Sequence, residues 1–207
     1  LSESAWLAWR VGLLEAVGSH RDPASAPVLR AVLERPSLEA PVLRAAAAAY
    51  GKLGTSDAVR LLGQLAQGGD ARAEAALYGL GHARTPRSAE LLAAELRKLP
   101  SGGRASTIVH ALGDVGSAWA WRAIERKPRG ADPKQADATR LAATEALVRA
   151  FGPYGGHIRK DIEKALLVVD DPRAKGLLER EKRGADAATA QAIDALLARL
   201  AKGPRGR

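Results

Sequence analysis

The sequence predicts an all-α, right-handed solenoid of about five to six helix pairs. Three observations carry that prediction. The chain repeats itself: Val17-Gly18-Ser19-His20-Arg21-Asp22-Pro23-Ala24-Ser25-Ala26-Pro27-Val28-Leu29 aligns without a gap on Leu80-Gly81-His82-Ala83-Arg84-Thr85-Pro86-Arg87-Ser88-Ala89-Glu90-Leu91-Leu92. The repeat has a fixed period, since Ala26, Ala58, Ala89 and Ala120 lie 32, 31 and 31 residues apart. A period near thirty with helical content is the mark of stacked helix pairs. The composition agrees: 46% of the residues are hydrophobic but only 4% are aromatic. Such a core is built from Ala, Leu and Val, and Ala and Leu favour helix. No segment alternates with period two between turns, so strands are not expected.

Each unit follows one grammar. A first helix carries apolar residues at three- and four-residue spacing and ends in glycines suited to a left-handed cap. A short polar turn with Asp, Ser or Pro then starts the second helix. The units fall near 4–35, 38–67, 70–99, 103–127, 136–169 and 171–202, in one array spanning 1–202. Breaks are expected near Gly18, Gly54, Gly81, Gly116 and Gly152 to Gly156. Five alanines, Ala45 to Ala49, predict unusually close helix packing in the second unit. A polar stretch at 128–135 interrupts the period and reads as an insertion, and the tail 203–207 reads as disordered.

Arg44, Arg72 and Arg140 match the arginine of an alanine-rich first helix, Leu53-Gly54, Leu80-Gly81 and Leu112-Gly113-Asp114 match the end of such a helix, and Ala26, Ala58, Ala89 and Ala120 match the start of the second helix after a polar turn. This pattern resembles HEAT repeats, and looks like the short bacterial HEAT-like type also found in phycocyanobilin lyases. The resemblance covers roughly residues 4–183 and implies a scaffold for other macromolecules. HEAT-like enzymes give three comparisons. The iron-binding hydroxylases use His-Glu pairs, whereas His20, His82, His110 and His157 precede Arg, Ala, Ala and Ile. The bilin lyases share the repeats, but the residues here offer no specific pocket signature. The alkylpurine DNA glycosylases combine a basic concave face with tryptophans and an acid, and Asp114 near Trp119 and Trp121 is superficially similar. The plainer reading makes Asp114 a cap of the next helix or the partner of an arginine. The chain is therefore expected not to be an enzyme, and no metal or other cofactor is expected.

The formal net charge is +9, and it is uneven. Residues 1–120 hold 13 Lys and Arg against 11 Asp and Glu, while residues 121–207 hold 19 against 12. The second half is therefore expected to attract something acidic. Cysteine is absent, which excludes disulfides and thiolate chemistry. No apolar run reaches about 18 residues, the length of a membrane span. Leu1 is not an initiator Met, so the expectation is a soluble chain, cytoplasmic or periplasmic after removal of an N-terminal segment.

Two surfaces are candidates for binding. Second helices are expected to line the concave face, where Arg35, Gln67, Lys98 and Arg129 fall at equivalent positions. They form either a basic column or a set of helix-end cations that complement the helix dipoles. Trp119 and Trp121 stand where other units carry mostly polar residues, beside Arg122, Arg126 and Lys127. They read either as an interface anchor or as side chains packed beneath 128–135. Trp6 and Trp9 share a helix face, and cap the core or face another unit. The function expected is a non-catalytic scaffold for an acidic protein partner. The alternative is a basic nucleic-acid-binding protein related to the glycosylases.

Overall fold

Polar caps set where the helices start. In the computed structural model the Thr55 hydroxyl accepts from the backbone N–H of Ala58, Asp70 accepts from Ala73, and Asp186 accepts from Thr189. Thr85 and Ser88 form a reciprocal capping box. The structure describes residues 2–35, 38–99, 102–126 and 131–202. These form twelve α-helices and no strand. They are α1 (Glu3–His20), α2 (Ala26–Glu34), α3 (Ala40–Lys52), α4 (Ser56–Leu65), α5 (Ala71–Ala83) and α6 (Pro86–Arg97). The remainder are α7 (Gly103–Gly116), α8 (Ala118–Arg126), α9 (Ala136–Phe151), α10 (Gly156–Val169), α11 (Ala174–Lys182) and α12 (Ala187–Ala201). No described helix is long and apolar enough to cross a membrane.

The helices stack in two layers, as the fold class requires. One layer runs α1, α3, α5, α7, α10, each packed on the one before. The other carries α2, α4, α6 and α9, with α11 beside α9. Their buried leucines, alanines and isoleucines form a continuous core from Leu29 to Leu196.

The order within the pairs departs from the sequence reading. Beyond α7 the expected second-layer partner, α8, leaves the stack and packs instead on α10 and the 3-10 turn Pro133–Gln135. Its buried residues Ala118, Ala120, Trp121 and Ile124 lie outside the continuous core. The place beside α6 goes to α9, and α10 returns to the first layer. The segment set apart from the stack is therefore α8 together with the turn Pro133–Gln135. Units near 103–127 and 136–169 are not regular pairs of the expected kind. Ala120 matched the period but starts the displaced helix. The equivalent of Ala26 is Ala136: each comes directly after an Asp-Pro 3-10 turn, Asp22-Pro23 and Asp132-Pro133.

Glycine does different work here from that expected. Gly18 and Gly81 lie inside α1 and α5 rather than at their ends. The left-handed caps are Arg21 and Arg84, with φ of 53° and 49°. The glycines instead admit a neighbouring helix. A Cβ on Gly18 would sit 2.7 Å from the Ala49 backbone, and one on Gly79 would sit 2.5 Å from the Ala47 carbonyl oxygen. Ala45 to Ala49 are all buried, as the alanine run predicted. In the second layer Gly63 meets only the flexible end of Leu91. Backbone thus approaches backbone between first-layer helices.

Polar side chains tie the layers together at helix ends. Arg72 donates to the Arg35 carbonyl at 2.9 Å, and Arg104 donates to the Ala66 carbonyl and to Glu74. Tyr154 donates to the Leu96 and Leu99 carbonyls, and Arg140 to those of Val169 and Asp170. Each satisfies carbonyls that a helix end leaves open. Ala46→Leu, at a site with no exposure, is expected to overpack α3 and cost about 1–3 kcal/mol, read as a lowered melting midpoint.

Candidate functional site: the α8 ridge and the first-layer trough

Because α8 stands off the stack, its two faces separate cleanly. Ala118, Ala120, Trp121 and Ile124 turn inward. The Trp121 indole N–H donates to the Val115 carbonyl at 2.9 Å, and the residue is 2% exposed. Trp121 is therefore not available as an interface anchor, in contrast to one sequence reading; it holds α8 against the end of α7. Trp121→Phe should keep most of the packing and lose that bond, at about 1 kcal/mol in a denaturant titration.

The outward face keeps the rest of the predicted group. Trp119 is 74% exposed, with Arg122, Ala123 and Arg126 at helical spacing along the same exposed side. Lys127 and Arg129 lie outside the described residues. Asp114 is not a cap of α8; the Ser117 hydroxyl accepts from Ala120 there. Two members of the predicted basic column, Arg35 and Lys98, lie at helix ends. Arg35 ends α2, where its carbonyl accepts from Arg72, and Lys98 ends α6, paired with Glu95 at 2.6 Å. Both sit where a cation complements the helix dipole. Trp6 and Trp9 stack at 5.0 Å on the free side of α1, about half exposed.

The first layer carries a polar trough that the sequence reading did not single out. A cavity of about 490 Å³ is lined by Arg44, Glu74, Tyr78, Ser106, His110 and Asp114, among others. A second, of about 400 Å³, shares Arg44 and Tyr78 with it and continues to Glu15, Lys52 and His82. The Arg44 guanidinium lies 4.0 Å from the centre of the Tyr78 ring, and Tyr78 meets His82 edge-on at 4.7 Å. At the far end Asp161 of α10 accepts from the Ser106 hydroxyl at 2.7 Å and lies 3.6 Å from His110 Nε2. The Ser106 bond, despite a smaller opposing effect of burial, holds the Asp161 carboxyl below its usual range, with help from His110 and Lys164. Burial pushes the Asp114 carboxyl up, against the pull of Arg84, His110 and Arg44. A raised carboxyl beside a histidine can bind a ligand or move a proton. No cluster of three metal-binding side chains occurs among the described residues.

No short spacing in the sequence marks this trough, because Arg44, Tyr78, His110 and Asp161 come from four different helices.

With this geometry in view, comparisons with known proteins add one likeness. No family model and no curated protein matches the chain. A solved structure does match: the complex of CpcE and CpcF of phycocyanin lyase from Nostoc sp. PCC7120. The match is 20% identical, covers 93% of this chain and 89% of that one, and has a TM-score of 0.41. The architecture is an all-α stack of helices in two layers, as the residue pattern predicted. The expectation that the chain is not an enzyme is not borne out: the match is to the structure of a lyase complex.

Proposed function

We propose that the protein is a helical-repeat scaffold that holds a protein partner with an acidic surface, docked on the exposed face of α8. The observation that carries this reading is Trp119. Trp119 is 74% exposed, on a helix whose buried residues lie outside the continuous core. Exposed aromatic and arginine side chains grouped together are the usual composition of interface hot spots. Arg122 and Arg126 beside it supply charge without a carboxylate partner among the described salt bridges. The excess of Lys and Arg after residue 120 adds attraction for an acidic surface.

The test places a photo-crosslinking amino acid at position 119 in the cells that make the protein. One predominant acidic protein should be captured, and Arg122→Glu with Arg126→Glu should abolish its capture while the melting midpoint stays unchanged. Crosslinking to nucleic acid instead would transfer the reading to the basic nucleic-acid binder, for which affinity falls steeply with salt. Capture indifferent to the charge reversal would remove the ridge as the docking face.

A further inference from the structure

We propose that the cavity between α1, α3 and α5 is an oxyanion site, in which Lys52 and Arg44 take up the carboxylate or phosphate group of a small ligand. It is separate from the α8 ridge and does not depend on it. The cavity, of about 400 Å³, is within the size range of small-molecule sites. Its wall carries Glu15 and Ser19 from α1, Arg44 and Lys52 from α3, and Tyr78 and His82 from α5.

Cations dominate the surroundings. Lys52 ends α3, while Arg21 and Arg84 are the caps of α1 and α5, so three neighbouring first-layer helices end in a positive charge. Lys52 makes no hydrogen bond or ion pair among the described residues, and Arg84 donates only to the His82 carbonyl. Helix dipoles explain why cations gather there, but a helix end carries only about half a charge. Glu15 acts on Lys52 and Asp114 on Arg84.

His82 reports on this imbalance. Both ring nitrogens are buried and hydrogen-bond to nothing among the described residues. Burial, then the charges of Arg84, Lys52, Arg21 and Arg44, push its pKa down to about 3. Burial and Arg21 likewise bring Arg84 down to about 10. Burial, with Arg21 and Arg84, lowers Lys52. An anion in the cavity would offset the charges of Lys52 and Arg44, the two cations on its wall. The Ser19 hydroxyl already donates to the Glu15 carbonyl, so the donors left for the anion are Lys52, Arg44 and Tyr78.

The test titrates the full chain with sodium phosphate and, separately, sodium acetate, against sodium chloride at equal ionic strength. The melting midpoint and the His82 C2 proton shift in NMR are recorded at pH 7, where both anions are ionised. Phosphate or acetate should raise the midpoint and move the His82 resonance beyond chloride. A response to phosphate alone names a phosphate group; an equal response to acetate names a carboxylate. Lys52→Gln, which keeps the packing stem, should weaken that binding about tenfold or more, as expected for loss of a charge-assisted hydrogen bond. Trp119→Ala should leave it unchanged. An effect no larger than that of chloride, or one untouched by Lys52→Gln, overturns the proposal.

Discussion

Gly51→Ala is expected to be the most damaging single-methyl change in the chain. An added Cβ would stand 2.1 Å from the Gly79 carbonyl oxygen and 3.0 Å from the carbon that bears it. Both are backbone atoms of the adjoining helix, so no side chain can swing away. α3 and α5 must move apart, and Ala47 and Gly79 lose contact with them. Overpacking costs about 1–3 kcal/mol where side chains can adjust, and a backbone clash belongs at the upper end. The melting midpoint should fall by about 6–12 °C for a chain of this size. Gly12→Ala is the internal control. It is exposed within α1, with nothing within 4 Å of the new methyl group. It should gain about 1 kcal/mol, because alanine favours helix over glycine. Equal effects of the two changes would show that α3 and α5 are not in backbone contact.

Arg173→Ala should have the next largest effect, and its size should depend on pH. The Asp171 side chain is fully buried and receives the Arg173 guanidinium at 2.7 and 2.9 Å. The same guanidinium reaches Asp137 of α9, so the cluster fastens α11 to its neighbour. Burial alone would raise the Asp171 carboxyl. The side-chain and backbone hydrogen bonds of Arg173, then its charge and that of Arg140, hold it below its usual range. Removing the arginine leaves a buried carboxylate underpaired. The expected cost near neutral pH is about 2–3 kcal/mol, less than for a wholly buried pair because the Arg173 side chain is 34% exposed. A carboxyl lowered in the folded state stabilises above its unfolded pKa of about 3.9 and loses that contribution as pH falls through its lower folded value. Wild type and variant should therefore differ fully above about pH 5 and converge below about pH 3 in urea titrations. A difference that persists undiminished at the acid end would assign the loss to packing.

The repeat was legible because a solenoid writes its contacts locally. The alanine run, the capping turns and the Gly-Arg-Pro-Ser-Ala alignment each concern residues within one helix pair or at its edge. The trough was not legible for the converse reason. Arg44, Tyr78, His110 and Asp161 belong to four helices, and no local pattern tells which will share a face. Trp121 misled because a tryptophan in a polar context reads alike whether it is exposed or folded under its own helix. Only the bond to Val115 and the burial beneath α8 decide between these.

The sequence by itself determined that this chain is helical, how long its repeat is, and which residues are small enough for helices to touch. Those properties come from helix propensity, turn chemistry and a period of about thirty residues, all of which act along the chain. Tertiary structure alone decided that α8 leaves the stack and α9 takes its place. α9 buries the longer face, from Thr139 to Phe151, and it is α9 that packs beside α6. That choice exposes Trp119, Arg122 and Arg126 on a helix of their own.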